Sequence, residues 1–232
     1  MIGIIGAMEE EVRELIADMQ ECEMNEKASM KFYKGKLYGK DAVVVQSGIG
    51  KVNAAICTQI LADCYHVDEL INTGVAGSLD AEINIGDIVI STDAVHHDMD
   101  VSALGDPVGQ VPRMDVFAFP ADKELAEKAI QANKKANPEI RTFIGRVASG
   151  DQFISDNKKK HYLINEFDGY CAEMEGAAMA QAAHLNQIPF IVLRAISDKA
   201  DEETVVSYEE FEGKAAMHCA KIVEYMISNM HE

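Results

Sequence analysis

MIGIIGAMEEEV (residues 1–12) is the stretch that decides the fold class. Ile2 to Ile5 is an apolar run that Gly6 breaks, and from Met8 onward apolar residues recur at helical spacing through Val12, Leu15, Ile16 and Met19. That pattern predicts a buried strand feeding a helix through a glycine turn. Such turns commonly hold phosphate on the free N–H groups of the helix start. This helix instead opens with Glu9, Glu10 and Glu11, which repel anions. The strand end is therefore expected to hold something other than phosphate.

The same transition recurs along the chain. DAVVVQSGIG (41–50), ELINTGVAGS (69–78), RTFIGRVASGD (141–151) and IPFIVLRAISD (188–198) are apolar runs ending in Gly, Ser or Asp, and GDIVISTDAV (86–95) is a further strand. KFYKGKLY (31–38) alternates as an antiparallel strand does. Helices are predicted from the Val52, Ala55, Ile56 and Ile60 spacing and over 122–136, 156–166 and 174–186. A last one is expected to start near Ser207, where Ser207-x-x-Glu210 reads as a capping box. Several strands are too apolar to have a wet face, so the expectation is an α/β fold, three-layer αβα, with a central mixed sheet. Ligands in such folds collect beyond the carboxyl ends of the strands, where Glu11, Ser47-Gly48, Thr73-Gly74, Ser149-Gly150-Asp151 and Ser197-Asp198 fall. The long irregular stretch from His96 to Pro120 has the length of a lid, binding loop or interface element.

Composition narrows the partners. The 232 residues suit one domain over 1–232, and the 48% apolar fraction suits a full core. A formal charge of −18 argues against nucleic acid and against anionic membrane surfaces. The five cysteines are scattered, with no C-x-x-C pair, as expected of reduced, mostly buried thiols in a cytoplasmic protein without a metal site. Glu9 to Glu11 interrupt the apolar start, so no signal peptide is expected there, and no apolar run reaches membrane-spanning length.

Three groups of residues carry chemical possibilities. In the glutamate run, compensation of the helix dipole competes with a catalytic role, and the helix angle lets only one or two of the three face the strand ends. Glu11, just before the core-facing Val12, is the candidate. In AEMEG (172–176), Glu173 and Glu175 lie among small and apolar neighbours, where carboxylates are buried and need partners. A carboxylate there suits the paired hydroxyls of a ribose. In VLRAISD (192–198), Arg194 and Asp198 form either a structural ion pair or a site with a raised aspartate pKa that carries a proton near neutrality. His96 and His97 lack a metal-ligand spacing, and neither glycine turn completes G-x-G-x-x-G.

Seven blocks now stand in order: GIIGAMEEEV, SGIGKVNAA, INTGVAGS, GDIV, VASGDQFI, AEMEG and RAISDKAD. Their order and spacing resemble the 5′-methylthioadenosine/S-adenosylhomocysteine nucleosidases of the nucleoside phosphorylase superfamily, over essentially the whole chain. The resemblance implies hydrolysis of an adenine–ribose bond without a cofactor, as used in methionine salvage and methyl-cycle recycling. It implies Glu11 as the base that activates water and Asp198 as the acid that protonates adenine. Phe153 would stack on the purine, Ile154 would meet its edge, and Glu175 with Met174 would hold the ribose. Met8, Ile49, Gly77, Val101, Arg194 and Tyr208 complete the expected substrate-binding set. A homodimer is also implied, with the 96–120 loop near the partner's site. The lid segment DVSALGDPVGQVP (100–112) departs from the family in lacking aromatic rings, which bears on the preference among methylthioadenosine, S-adenosylhomocysteine and 5′-deoxyadenosine. A purine nucleoside phosphorylase, a futalosine hydrolase and a non-catalytic nucleoside-binding protein are the alternatives.

Overall fold

The computed structural model describes residues 1–201 and 204–229. Its strands are β1 (Ile2–Gly6), β2 (Gln20–Lys27), β3 (Met30–Leu37), β4 (Lys40–Gln46), β5 (Glu69–Ser78), β6 (Ile88–His96), β7 (Phe119–Pro120), β8 (Thr142–Ser149), β9 (Gly169–Glu173) and β10 (Phe190–Asp198). Its α-helices are α1 (Glu9–Ala17), α2 (Lys51–Ile60), α3 (Lys123–Ala136), α4 (Asn157–Phe167), α5 (Gly176–Asn186) and α6 (Thr204–Ser228). The expected mixed sheet is present, with parallel and antiparallel pairs in one continuous ladder.

Alternation within the strands builds a core on each face of that sheet. In β1, Ile5 packs into the cluster shared with Ala54 and Cys57 of α2 and Ala180 of α5, whereas Ile2 and Ile4 pack with Val12 of α1, Ala129 of α3 and Ile222 of α6. β1, β4, β5 and β10 are buried on both faces, which is why they read as continuous apolar runs. β5 has β1 and β10 as parallel neighbours and β9 as an antiparallel one. Because β10 also pairs with β6, and β6 with β8, which pairs with β9, five strands curl into a ring. The curl gathers the ends of β5, β9 and β10 around one point beside the end of β1.

Two local features were not legible in the sequence, and one expectation needs correction. The strand β2 escaped sequence analysis because all of its residues are exposed, so it has no apolar alternation to detect. In α2 the inward residues are Ala54, Cys57 and Thr58, while Val52 is 68% exposed and Ile56 41% exposed. The predicted helix is present, and of its spaced apolar residues Ala55 and Ile60 pack against the core while Val52 and Ile56 form an uncovered face. Finally, α6 starts at Thr204, so Ser207 lies within the helix and not at its cap. Thr204 is fully buried and bonded to its neighbours, which fixes the helix start a turn earlier.

Candidate active site

Beyond the ends of β1, β5, β9 and β10 lies a cleft of about 180 Å³, lined by Met8, Glu11, Ile49, Gly77, Phe153, Met174, Glu175, Asp198 and Tyr208 among others. Glu11 enters it because the first turn of α1 rotates its three glutamates apart. Glu9 and Glu10 remain on the surface beside Arg13, at 3.0 and 3.6 Å. Glu11 turns inward and is 4% exposed. Its Oε2 accepts the N–H groups of Ala7 (2.7 Å) and Met8 (3.0 Å), and its Oε1 accepts that of Val75 (3.0 Å). Burial raises its pKa, opposed by the charge of Arg194 and by those three donors.

Two glycines of β5 make room for the acids. A Cβ on Gly74 would stand 2.5 Å from Glu11 Oε1, and one on Gly77 would stand 2.7 Å from Asp198 Oδ1. Any side chain at either position would push the carboxyl out of place. A register shift at the end of β10 sets Asp198 opposite Gly77. Asp198 Oδ1 accepts from Ala200 N–H (2.8 Å) and the Thr204 hydroxyl (3.1 Å), and Oδ2 accepts from the Ser197 hydroxyl (2.9 Å). Burial again raises the pKa against these donors.

Glu173 and Glu175 take different surroundings at the β9–α5 joint. Glu173 Oε2 meets Arg194 and accepts the N–H groups of Glu175 (3.1 Å) and Gly176 (2.8 Å), while Oε1 takes the Ser149 hydroxyl. Burial would raise its pKa, yet Arg194 and these donors bring it below the ordinary glutamate value. Glu175 Oε1 accepts only Gly50 N–H (2.8 Å), and its Oε2 lies 4.0 Å from Arg194. Burial and the Glu173 charge push its pKa up to about 8. Arg194 is buried behind the cleft, tied to Asn72 as well as to Glu173.

The cleft brings together most of the sequence-predicted set. Phe153 and Tyr208 meet edge to face, with ring centroids 5.6 Å apart, and the Tyr208 hydroxyl lies 3.1 Å from Met8 Sδ. Ile154 lines an adjoining recess with Phe153, Gly77 and Asp198. Two expected substrate contacts lie elsewhere. Arg194 supports Glu173 and is absent from the cleft wall, and Val101 sits in the lid just before the short Ser102–Leu104 turn. Arg194 was expected to pair with Asp198 or to touch substrate, but the strand end directs it to the far carboxylate. The residues missed were Ala7, Val75, Ala76 and Ala172 on the wall, together with Ser197 and Thr204 on Asp198. Val75 and Ala76 lie inside the NTGVAGS block and were legible there, whereas Thr204 carried no signal.

His96 and His97 are buried next to the lid base. The Nε2 of His96 lies 2.9 Å from Gln181 Oε1, and burial lowers the pKa of His97 to about 4. Among the described residues no cluster of three His, Cys, Asp or Glu comes together as metal ligands do.

The chemistry available is thus proton transfer by buried carboxyls around an aromatic-walled slot, with the one guanidinium buried among the described residues already engaged by Glu173. Residues 1–228 match the family model described as the phosphorylase superfamily. A 5′-methylthioadenosine/S-adenosylhomocysteine nucleosidase of Anoxybacillus flavithermus is 44% identical, covering 100% of this chain and 99% of that one. The crystal structure of such a nucleosidase from Neisseria meningitidis, in complex with methylthio-immucillin-A, superposes with a TM-score of 0.95 at 37% identity and covers 99% of each chain. A futalosine hydrolase of Helicobacter pylori superposes at 0.93 with 33% identity, over 99% of this chain and 97% of that one.

Proposed function

The chain belongs to the phosphorylase superfamily and, within it, to the 5′-methylthioadenosine/S-adenosylhomocysteine nucleosidases, and on that footing we propose how its residues divide the work. The enzyme hydrolyses the N-glycosidic bond of 5′-methylthioadenosine and S-adenosylhomocysteine, releasing adenine and a 5-substituted ribose.

Cleaving that bond develops positive charge on the ribose ring, as in other glycoside hydrolyses. Asp198, whose pKa burial raises, donates a proton to adenine N7 and makes the base a better leaving group. Glu11, whose two oxygens are oriented by three backbone donors, takes a proton from the attacking water. Glu175 accepts the ribose hydroxyls with Met174 beside it, Phe153 stacks on the purine, and Ile154 meets the purine edge. Met8, Ile49, Gly77 and Tyr208 close the remainder, and Arg194 keeps Glu173 in place behind them.

One observation carries this assignment: four carboxyls, Glu11, Glu173, Glu175 and Asp198, line the cleft, and among the described residues no Arg or Lys joins them on its wall, because Arg194 lies behind it, bonded to Glu173 and 4.0 Å from Glu175. Such a pocket favours a sugar cation and disfavours a phosphate nucleophile, which needs Arg or Lys. Adenine release is expected to proceed equally with and without inorganic phosphate, giving the free 5-thioribose. Phosphate dependence with a ribose 1-phosphate product would overturn the assignment. The higher identity to the nucleosidases, 44% and 37% against 33%, stands against a futalosine hydrolase, the cation-free cleft wall against a phosphorylase, and the buried Glu11 and Asp198 against a non-catalytic binder.

By the same proposal the enzyme also takes 5′-deoxyadenosine, serves methionine salvage and methyl-cycle recycling, and works in the cytoplasm. It is a homodimer, supported by the apolar surface of Ile49, Val52, Ile56 and Leu104, the last 84% exposed. The 96–120 lid, with Val101, reaches towards the partner's site. Burial of Cys57, Cys171 and Cys219 suits a reducing compartment, although Cys22 and Cys64 are exposed.

A further inference from the structure

The start of α6 contributes more than a wall to the cleft. Asp201 N–H donates to Thr204 Oγ1 (2.7 Å), and Thr204 N–H donates back to Asp201 O (3.1 Å), closing a turn that locks the hydroxyl. With its oxygen occupied as an acceptor, that hydroxyl directs its own hydrogen to Asp198 Oδ1, 3.1 Å away. Ala200 N–H reaches the same oxygen. Oδ1 therefore faces two donors, and a third hydrogen placed on it would point at one of them. Among the described residues the donor to Oδ2 is Ser197, whose hydroxyl also lies 3.4 Å from the Ala76 carbonyl oxygen and can either donate or accept.

We propose that Thr204 is a positioning residue for the acid: its hydroxyl, oriented by the Asp201 amide, keeps Oδ1 of Asp198 an acceptor and confines the transferable proton to Oδ2. The proposal rests on Asp198 being the acid that protonates the leaving base. It goes further by selecting the oxygen and by naming a residue outside the cleft wall. After transfer, the same two donors stabilise the carboxylate left behind, so the bond serves both states of the reaction. The O–H bond of Asp198 breaks as the base N–H forms, and the negative charge stays on the aspartate.

Among the described residues, the charged and titratable groups around Asp198 are few. Asp201 lies on the same loop and its charge opposes ionisation of Asp198. Lys199 turns its amine to the Ile83 carbonyl. Tyr208 of α6, Glu11 of α1, and Glu173 and Glu175 from the β9–α5 joint face the same cleft. β5 contributes Gly77, which has no charge. Among the described residues Thr204 is thus the hydroxyl outside β10 that bonds this carboxyl.

The test is the pH dependence of kcat for wild type, Thr204→Val and Thr204→Ser, with Asp198→Asn measured beside them. Removing one donor to the carboxylate lowers kcat about tenfold and moves the high-pH limb up by about one unit, while KM stays within about twofold. Thr204→Ser, which keeps the hydroxyl, restores both kcat and the limb. An unmoved limb in Thr204→Val, or a serine variant as impaired as the valine one, would overturn the proposal. Should Thr204→Val not fold, Thr204→Ala takes its place: a limb moved up supports the proposal, and an unmoved limb overturns it. An active Asp198→Asn would overturn the acid assignment itself. An inactive Asp198→Asn with an unmoved Thr204→Val limb would overturn the Thr204 role alone.

Discussion

The wall behind the cleft and the wall facing it are built from the same residue types with opposite results. Behind, Glu173 is satisfied by Arg194, Ser149 and two backbone N–H groups, and its pKa falls. In front, Glu175 stands two residues on with one backbone donor, and its pKa rises to about 8. Both carboxyls are 7% exposed, so burial does not distinguish them. The placement of one guanidinium does. The rear wall is a structural ion pair, and the front wall keeps its charge demand open for a ligand that brings positive charge.

The sharpest way to break that contrast is to neutralise a front carboxyl that moves a proton. Asp198→Asn is expected to cut kcat by about 10²–10⁴-fold, with adenine binding largely retained in equilibrium titration. Binding lost in parallel with turnover would make Asp198 part of the scaffold. The rear wall should fail differently. Arg194→Met leaves Glu173 buried and unpaired, and is expected to cost about 3–5 kcal/mol of unfolding free energy by denaturant titration. A much smaller cost would mean that Glu173 simply takes up a proton and needs no partner.

Glu175→Gln sharpens the comparison through pH. A carboxyl whose folded pKa is raised from 4.5 to about 8 gives stability that is fully present below 4.5 and is lost as pH rises through about 8. The glutamine variant removes this loss. Its melting temperature should therefore gain on wild type by a few degrees at alkaline pH and converge with it in acid. At the same time its KM for the nucleoside should rise, because an amide is a weaker acceptor for ribose hydroxyls. The smallest effect is expected at the surface end of the same acidic character. Glu10→Gln, one residue from Glu11 but facing solvent and Arg13, should leave kcat/KM within about twofold.

These contrasts also mark what the sequence made legible. Strands buried on both faces announced themselves as apolar runs, so β1, β4, β5 and β10 and the polar residues at their ends were readable. Glu11 could be chosen from its run because Val12 gave the inward direction. The exposed β2 and the start of α6 could not be read, since the one has no apolar face and the other is fixed by burial of Thr204 and its bonds to Asp201 and Asp198. Arg194 was misplaced for a related reason. Its spacing from Asp198 along the strand gives no sign that Glu173, on another strand, captures the guanidinium. In the lid, Val101 and Leu104 are not set against the cleft of this single chain, and the helix face of Val52 and Ile56 is likewise uncovered.

The central claim is that the front carboxyls stabilise a cationic sugar. It is tested by comparing the dissociation constants of two adenine-linked ring analogues of equal shape, a pyrrolidine protonated at the assay pH and its uncharged cyclopentane counterpart. The account predicts that the cation binds tighter by about 10²-fold or more. Equal affinity for the two would contradict it.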